Sequence, residues 1–294
     1  MRVLVLGASG MLGHVVCREL ARRHEVHGSC RDEVDVSTPL DVATGASQLH
    51  GGVALDRTGV VSDVVARIEP AVVVNCAGVI KQKDPEGDPE STIRINSLLP
   101  HELARTCDDA GAKLITVSTD CVFSGRRGRY RETDAPDPVD LYGHSKLLGE
   151  VSRPPHLTLR TSLIGRQLQG DEGLLEWFLR QRGPRVPGFA NAIFTGLTTA
   201  AFAAILDPLL GRDGISGIYH VASAPISKLE LLRRLRDRLA LDLEIVPSER
   251  VVCDRSLDGS RFERDAGIEV PSWESMIERL ADEVGADEGL QSRR

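Results

Sequence analysis

Two side chains four residues apart carry the clearest chemical signal in the sequence, the phenol of Tyr142 and the ammonium of Lys146. Residues 142–150 have the composition of a helix, which places both side chains on one helical face. A free phenol is a poor acid near neutrality because its unperturbed pKa is about 10, and a neighbouring ammonium stabilises the phenolate. Taken alone, this spacing favours a surface Tyr–Lys pair on an amphipathic helix; its position relative to two other motifs favours a proton donor.

A glycine-rich turn near the start of the chain predicts a dinucleotide site. The apolar run Arg2–Leu6 has the pattern of a buried parallel strand, and a helical stretch follows the turn. Gly7 allows the tight turn, Gly10 lets the backbone approach a pyrophosphate, and Gly13 lets helix and strand pack closely. The helix N-terminus offers N–H groups and a positive dipole end to that phosphate. The predicted cofactor contacts in this turn are Gly7, Ser9, Gly10, Met11, Leu12 and Gly13.

The residue after the second predicted strand bears on the choice between NADPH and NADH. The strand covers residues 25–30 and is followed by Arg31, at a position where an NAD site usually carries an acidic side chain. An arginine suits the 2′-phosphate of NADPH, so Arg31 favours NADPH as the cofactor. Asp32 and Glu33 follow immediately, and a shift of one or two residues would favour NADH instead.

Strands and helices alternate along the first half of the chain, which predicts an α/β fold with a doubly wound parallel Rossmann sheet. Val60–Ile68 has the pattern of a helix, and residues 71–75 that of the next buried strand. Small residues end this strand and let a flat cofactor lie against the backbone; the predicted contacts are Asn75, Cys76, Ala77 and Gly78. We assign residues 1–161 to the NAD(P)-binding Rossmann domain. Residues 162–294 belong mainly to a smaller C-terminal α/β substrate-binding lobe, with about 195–222 returning to the Rossmann domain.

The remaining segments are less regular in pattern. A helix is expected over about residues 90–110, carrying Asn96. Residues 32–52 are polar and Gly-containing and are predicted to be irregular, and residues 185–195 form a Pro/Gly-containing stretch. Residues 197–210 and 227–239 have helical patterns.

A third motif ends the strand predicted over residues 113–117. Open α/β sheets bind ligands beyond the carboxyl ends of their strands, where Ser118 and Thr119 stand. A hydroxyl there could meet the Tyr142 phenol across one substrate oxygen, or the two residues could only cap the turn. Later in the chain, Arg255 is a candidate for gripping a diphosphate, with structural ion pairing as the alternative.

The composition is that of a soluble globular protein, with 41% hydrophobic and 27% charged residues. A net charge of −7 argues against a general nucleic-acid binder, which usually has a basic excess. No apolar run approaches the roughly 20 residues of a membrane span, and the cysteines and histidines lack metal-ligand spacing. We therefore expect a cytoplasmic protein with reduced thiols, no metal, and neither nucleic acid nor membrane as a partner.

Taken in chain order, the glycine turn, Thr119 and the Tyr142/Lys146 pair resemble the extended short-chain dehydrogenase/reductase superfamily. Within it, residues 118–125 (Ser-Thr-Asp-Cys-Val-Phe-Ser-Gly) and 141–146 (Leu-Tyr-Gly-His-Ser-Lys) look like the dTDP-4-dehydrorhamnose reductase family. Later blocks that also fit are residues 159–162, 217–220 and 256–258. The resemblance covers most of the chain and is strongest up to about residue 165.

This resemblance implies an NADPH-dependent reductase, with NADH possible, that acts on the ketone of a nucleotide-linked 4-keto-6-deoxy sugar. Thr119, Tyr142 and Lys146 would form the catalytic group: Tyr142 donates the proton, Thr119 hydrogen-bonds the same oxygen, and Lys146 also holds the nicotinamide ribose. The substrate contacts would be Ser118, Thr119, Tyr142, Thr195 and Arg255. The partner would be a nucleoside-diphosphate sugar, and a homodimer is possible.

Three places depart from the family pattern. Cys121 stands where the family usually has an aromatic residue, which would reshape the substrate pocket. Val53 stands where an acidic residue often contacts the adenine amine, with Asp56 slightly later. Residues 194–196 differ from the family's pattern near the sugar.

Other functions share parts of this pattern. A sugar-nucleotide dehydratase has the same fold and Tyr–Lys pair but usually carries Asp-Glu after the Thr, where this chain has Asp120 and Cys121. An epimerase keeps its nicotinamide tightly bound, whereas Arg31 favours exchangeable NADPH. A non-catalytic NADP-binding regulatory subunit, similar to that of methionine adenosyltransferase, is the alternative outside the enzymes.

Overall fold

A computed structural model describes residues 1–32, 44–57, 59–80, 88–168, 170, 173–181 and 183–291, with side chains as far as Gly285. Glu33 lies outside these residues. The strands within them are β1 (Arg2–Leu6), β2 (Glu25–Ser29), β3 (Gln48–His50), β4 (Val72–Asn75), β5 (Lys113–Thr119), β6 (Leu157–Thr161), β7 (Leu163–Ile164), β8 (Arg185–Phe194), β9 (Leu197–Thr198), β10 (Gly217–His220), β11 (Ile226–Ser227) and β12 (Glu244–Asp254). The α-helices are Gly13–Leu20, Val60–Ile68, Pro89–Ile93, Leu99–Ala110, Leu141–Leu148, Leu174–Leu179, Thr199–Leu210, Lys228–Arg238, Ser260–Ala266 and Trp273–Gln291.

One parallel sheet of seven strands organises the molecule, in the order β10-β6-β5-β4-β1-β2-β3. Every neighbouring pair in it is parallel. The chain order reverses at β1, which has β2 on one side and β4 on the other. Such a switch point is where open α/β sheets bind ligands, at the carboxyl ends of the strands. The predicted doubly wound Rossmann sheet is confirmed.

Strand β1 shows why this sheet is buried on both faces. Its side chains alternate, so Val3 and Val5 enter one core while Leu4 and Leu6 enter the other. Burying each such side chain contributes about 1.5–3 kcal/mol, so a charge at any of these positions would break the sheet. Helices cover both faces: Gly13–Leu20 and Thr199–Leu210 lie on the first, and Val60–Ile68 and Leu99–Ala110 on the second.

The later part of the chain builds a smaller sheet in the order β11-β8-β12. β12 runs parallel to β8 and β11 runs antiparallel to it. Helix Lys228–Arg238 packs on this sheet, and its cap residue Ser227 accepts from the Glu230 N–H at 3.1 Å. A Cβ on Gly188 would lie 2.7 Å from both Leu229 and Ile245. A side chain at position 188 would therefore push the helix off the sheet.

Several elements differ from their sequence-based predictions. All but the last of the Pro/Gly-containing residues 185–195 form the ten-residue strand β8, and β3 lies within the segment expected to be irregular. The helix expected over residues 90–110 is interrupted by a π-helical turn, Arg94–Leu98. The segment returning to the large sheet contributes β10, which pairs with β6. The domain boundary at residue 161 stays a prediction.

Neither a membrane-spanning helix nor a metal-binding cluster occurs within the described residues. None of the helices within them is both long and apolar enough to cross a membrane. The described ranges also contain no cluster of three or more His, Cys, Asp or Glu residues that could hold a metal ion. All six cysteines are free.

Candidate active site

The helix Leu141–Leu148, referred to below as the Tyr142 helix, lies close to the end of β5. Its N-terminus is capped by Asp140, whose side chain accepts from the Gly143 N–H at 2.8 Å. Gly143 lies directly against the carbonyl oxygen of Cys121, and a Cβ at this position would collide with that oxygen. The missing side chain at position 143 thus lets the helix bring Tyr142 up to the residues that follow β5.

Thr119 is the residue at which β5 ends, and it caps the short 3₁₀ turn Asp120–Val122. Its Oγ1 accepts from the Cys121 N–H at 3.1 Å, and its hydroxyl lies 3.3 Å from Asp120 Oδ1, to which it donates. The same hydroxyl faces the phenol of Tyr142 closely enough to act on the pKa of that phenol. Thr119 therefore both caps the turn and stands beside Tyr142.

The phenol of Tyr142 keeps its proton at neutral pH. Burial raises the pKa of Tyr142 well above its usual value, and the neighbouring Cys121, Asp120 and Asp140 act in the same direction. The contact with Thr119 acts in the opposite direction. The sequence predicted a pKa lowered by the neighbouring ammonium; the direction is the opposite because loss of water around the half-buried phenol dominates. A protonated phenol is the state that a proton donor requires.

Lys146 lies one helical turn beyond Tyr142 and faces the loop after β4. Its Nζ donates to the carbonyl oxygen of Val117 at 2.6 Å and lies 3.9 Å from the position of a Cβ on Gly78. Burial lowers the pKa of Lys146 to about 8, and Glu150 and Cys76 oppose that effect. The ammonium is therefore charged at neutral pH, and it lies between β5 and the predicted cofactor loop.

Asn96, to which sequence reasoning assigned no role, holds this loop and the Tyr142 helix together. It lies in the π-helical turn Arg94–Leu98 and is 1% exposed. Its Oδ1 accepts from the Val79 N–H at 3.0 Å, and its Nδ2 donates to the Val79 carbonyl at 2.9 Å and to Ser145 Oγ at 3.1 Å. The available signal was an Asn inside a long predicted helix, where this residue type is disfavoured.

The glycine turn has the form that a dinucleotide site needs. Gly7 has a φ of 77°, in the left-handed region, and its carbonyl accepts from the Gly10 N–H at 3.0 Å. Gly13 packs on the same carbonyl with no room for a side chain. Helix Gly13–Leu20 begins without a side-chain cap and without an acidic residue in its first turn, so its dipole suits a pyrophosphate. The other predicted contacts of the turn lie between these glycines: Ser9, Met11 and Leu12.

The loop after β4 lies directly against the glycine turn. A Cβ on Gly7 would come within 3.0 Å of the Ala77 backbone. Asn75 is buried, and its Oδ1 accepts from the Ala77 N–H at 3.2 Å, so this side chain shapes the loop. Gly78 is exposed, and Cys76 is half-buried with its pKa raised by burial to about 12. The structure thus brings the two predicted cofactor segments together.

Arg31 lies at the end of the sheet where the adenosine of a dinucleotide would bind. Its guanidinium is exposed and lies 3.5 Å from the carboxylate of Asp56. Asp56 is one of the two positions considered for an adenine contact, and the other, Val53, is buried in the second core. The Arg31 cation therefore lies beside the Asp56 anion at this end of the sheet.

Two of the predicted substrate contacts have structural partners. The Ser118 hydroxyl donates to Glu150 Oε1 at 2.7 Å, and Thr195 Oγ1 accepts from the Leu257 N–H at 3.0 Å. Both residues are buried. Their predicted contact with a substrate gains no support from this geometry.

Arg255 reaches the residues beside Tyr142 from the later part of the chain. Its Nε donates to the Phe123 carbonyl at 2.9 Å, and its Nη1 lies 3.5 Å from Cys121 Sγ. Burial raises the pKa of Asp120, and it raises that of Cys121 to about 12, while Arg255 acts against both shifts. Cys121 is therefore a neutral thiol near pH 7. The guanidinium therefore lies beside Cys121, and its predicted contact with a diphosphate stays a prediction.

A family model described as the RmlD substrate binding domain matches residues 1–285 of the chain. The chain belongs to this family. The predicted membership of the dTDP-4-dehydrorhamnose reductase family is thereby confirmed, since relatives with that name span the chain.

Members of the RmlD family resemble the chain over nearly its whole length. A probable low-salt glycan biosynthesis reductase of Haloferax volcanii is 31% identical, covering 95% of this chain and 97% of that protein. The dTDP-4-dehydrorhamnose reductase of Salmonella typhimurium is 26% identical over 97% of this chain and 98% of its own. A crystal structure of the Bacillus anthracis dTDP-4-dehydrorhamnose reductase in complex with NADP shares the fold, with a TM-score of 0.78, 23% identity, and coverage of 96% and 99%. These relatives are reductases by name, and the predicted oxidoreductase class is confirmed at the level of the family.

Proposed function

We propose that the protein is an NADPH-dependent reductase of a nucleotide-linked 4-keto-6-deoxy sugar, with Tyr142 as the proton donor. The observation that carries the proposal is the meeting of Thr119, Tyr142 and Lys146 at the carboxyl end of β5. Lys146 faces the loop after β4, which lies against the glycine turn. An acid, a second hydroxyl and an ammonium thus lie beside the two segments that would hold a dinucleotide. The reductase names of the relatives support the same chemistry.

The residues present fit a nicotinamide dinucleotide. Gly7 and Gly13 form a turn in which a Cβ would have no room, and the helix that follows offers an uncapped N-terminus to a pyrophosphate. The loop of Asn75, Cys76, Ala77 and Gly78 would lie along the cofactor, and Lys146 would hold the ribose. When bound, the nicotinamide supplies a hydride to the ketone carbon.

Tyr142 gives its proton to the oxygen of the ketone as negative charge develops there. The raised pKa keeps the phenol protonated until that charge appears. Thr119 orients the same oxygen through its hydroxyl, which already faces the phenol. The ammonium of Lys146 then favours the phenolate that is left behind, since an opposite charge nearby stabilises the charged form.

Cys121 supports a reductase over a dehydratase. A dehydratase needs an acid and a base after the Thr to remove a hydroxyl group, and Cys121 occupies the position of the expected carboxylate. Burial raises the pKa of this thiol to about 12, so it can neither give up nor take a proton readily near neutrality. The pair Asp120–Cys121 therefore lacks one of the two proton carriers.

The cation at Arg31 supports NADPH as the preferred cofactor. The 2′-phosphate of NADPH would replace Asp56 as the partner of this exposed guanidinium. We expect Arg31→Ala to raise KM for NADPH about tenfold and to leave KM for NADH nearly unchanged, because an exposed charge-assisted contact is at the lower end of its range. Steady-state kinetics with both cofactors check this. Asp56→Asn, which removes the competing anion, should lower KM for NADPH, and equal effects on both cofactors would contradict the assignment.

The proposed function is tested by mixing the protein with NADPH and a panel of nucleotide-linked 4-keto-6-deoxy sugars. Loss of absorbance at the nicotinamide band with at least one sugar, together with formation of the 4-hydroxy product, is the expected result. The controls are Tyr142→Phe and a sugar nucleotide that lacks the ketone. If NADPH binds but no sugar is reduced, the protein is not this reductase and a non-catalytic binding role takes its place.

A further inference from the structure

A buried carboxylate, that of Glu150, lies four residues beyond Lys146. Both oxygens of Glu150 have partners: Oε1 accepts from Ser118 Oγ at 2.7 Å and from Arg160 Nε at 2.7 Å, and Oε2 accepts from Arg160 Nη2 at 2.7 Å. The side chains of Arg160 and Glu150 are 3% and 4% exposed. The two residues therefore form a bidentate ion pair inside the protein, to which the chemistry of Tyr142 assigns no role.

Stability alone is a weak reason for an ion pair at this depth. Taking two charges out of water costs much of what their attraction gains, and apolar residues of the same volume often serve a fold equally well. The neighbour that such a pair influences here is Lys146, which lies four residues before Glu150 on the helix that ends at Leu148.

Two adjacent residues of β5 contact Lys146 and Glu150. The carbonyl of Val117 accepts from Lys146 Nζ at 2.6 Å, and the hydroxyl of Ser118 donates to Glu150 at 2.7 Å. Two consecutive residues of β5 are thus bound to the Lys146 ammonium on the helix and to the Glu150 carboxylate just beyond it. A change in Glu150 would reach Lys146 through both charge and position.

We propose that Glu150, fixed by Arg160 and Ser118, is a positioning residue that keeps the Lys146 side chain charged and directed along β5. This inference rests on the proposed function, in which Lys146 acts as an ammonium. Glu150 does not touch the cofactor or the reacting atoms; it acts through Lys146.

The charges around Lys146 set the sign of the effect. Cys76 faces it from the loop after β4, and Tyr142 and Glu150 belong to its own helix and the residues just beyond. Behind Glu150 stands Arg160 on β6, which lies 3.3 Å from His220 Nε2 on β10. Burial lowers the pKa of His220 to about 3, so His220 is neutral and leaves the charge of Arg160 unaltered. Glu150 is the nearest anion in this set, and Arg160 is the cation behind it.

Opposite substitutions in the ion pair should therefore move Lys146 in opposite directions. Glu150→Gln removes the anion and leaves the Arg160 cation, so Lys146 should lose its proton at lower pH, by about one pH unit. Arg160→Gln leaves an uncompensated anion and should move the titration to higher pH. The double variant, with both charges removed, should fall between Glu150→Gln and the wild type. A general loosening of the structure would not give opposite signs.

The test is an NMR titration of the protein labelled with ¹³C at the lysine Cε, which reports each ammonium separately. The chain has five lysines, so Lys146→Arg identifies the Lys146 resonance by its loss. The matched control is Glu102→Gln, because Arg94 and Glu102 form a second bidentate pair, at 2.6 and 3.0 Å, away from Lys146. The control should leave the Lys146 titration unchanged. If Glu150→Gln fails to fold, the double variant and Arg160→Gln provide the same test, because their Lys146 titrations should shift in opposite directions from the wild type.

The proposal is overturned if the Lys146 titration stays fixed across the three variants or moves in one direction in all of them. This readout needs no substrate, so it is independent of the reductase proposal. Opposite shifts without reduction of any sugar would leave the role of Glu150 intact and remove the proposed function. If a sugar is reduced but the Lys146 titration stays fixed, the proposed function stands and the proposed role of Glu150 is removed.

Discussion

The Tyr142 helix has different surroundings on its two sides. On the side of the π-helical turn two close contacts come from neutral groups: Ser97 Oγ donates to the Ser145 carbonyl at 2.8 Å, and Gly149 lies directly against the carbonyl of Asn96. On the side of β5 its neighbours are ionisable, and they include Asp120, Cys121 and Arg255. Both sides are closely packed, and Thr119, Asp120 and Cys121, which act on the pKa of Tyr142, lie on the second.

The two sides therefore determine different properties, the position of the helix and the protonation of Tyr142. Backbone contacts and small side chains on the π-turn side fix where the helix lies, since a Cβ at position 149 would have no room. Burial and neighbouring charges on the β5 side fix whether Tyr142 carries its proton. Substitutions on the first side should therefore change stability, and substitutions on the second should change turnover.

The largest effect is expected from Tyr142→Phe, which removes the proton donor and keeps the ring. Turnover should fall by about 10²–10⁴-fold, the usual contribution of a positioned acid, while NADPH affinity and the unfolding midpoint stay close to wild type. Absorbance at the nicotinamide band measures turnover, and fluorescence titration measures binding. A variant that kept most of its activity would remove Tyr142 from the proposed role.

Thr119→Val tests the second hydroxyl on the β5 side. We expect turnover to fall by about 10²-fold, as for the loss of one donor to a developing oxyanion, because the hydroxyl that faces the phenol is gone. Thr119→Ser keeps the hydroxyl and should retain most of the activity. Equal losses in both variants would show that the hydroxyl is not what activity requires of this residue.

Gly149→Ala tests the π-turn side. Overpacking against the Asn96 carbonyl should cost about 1–3 kcal/mol of unfolding free energy, measured by denaturant unfolding. The matched control is Gly285→Ala, where no atom lies within 4 Å and the position is helical. Alanine there should stabilise by about 0.5–1 kcal/mol. If the two variants were equally stable, the close contact at Gly149 would not be what positions the helix.

The smallest expected effect is the dependence of turnover on pH above neutrality. Burial lowers the pKa of Lys146 to about 8, so the ammonium is present below that pH and is lost as the pH rises through it. Turnover should drop about tenfold one unit above the midpoint, because about a tenth of the lysines remain charged. Lys146→Arg, whose cation persists at high pH, should remove this alkaline limb while lowering the rate overall. An unchanged limb in that variant would assign it to another group.

Elements whose burial is decided within their own segment could be predicted from the sequence. Helix Val60–Ile68 and strand Arg2–Leu6 lie where their patterns place them, since each buries its own apolar residues. The glycine turn after β1 is similar, because only glycine has the required backbone freedom at Gly7. The order of these signals along the chain was enough to predict the parallel sheet.

β8 could not be predicted in this way because its regularity comes from its neighbours. Pro187 and Gly188 are typical of a loop, yet the strand is held between β11 and β12. Gly188 serves close packing against Leu229 and Ile245, which are distant in the sequence. Tertiary contacts override local preference here.

In the candidate site, too, some features could be predicted from the sequence and others could not. The spacing of Tyr142 and Lys146 could be recognised in the sequence. The contacts of Asn96 and the pairing of Glu150 with Arg160 could not, because they join separate segments. A charged residue inside the apolar strand Leu157–Thr161 was the one signal of a buried partner. The direction of the Tyr142 pKa was also out of reach, because burial of the phenol is a property of the fold.

The most direct test of the proposed site is a crystal structure of the protein with bound NADP⁺. The proposed mechanism predicts that Tyr142 Oη, Thr119 Oγ1 and Lys146 Nζ all face the nicotinamide end of the cofactor. It also predicts Oη within about 3 Å of Oγ1 or of one bridging water. A structure in which Tyr142 points away from the nicotinamide, or in which the cofactor binds elsewhere than against the glycine turn, would contradict it.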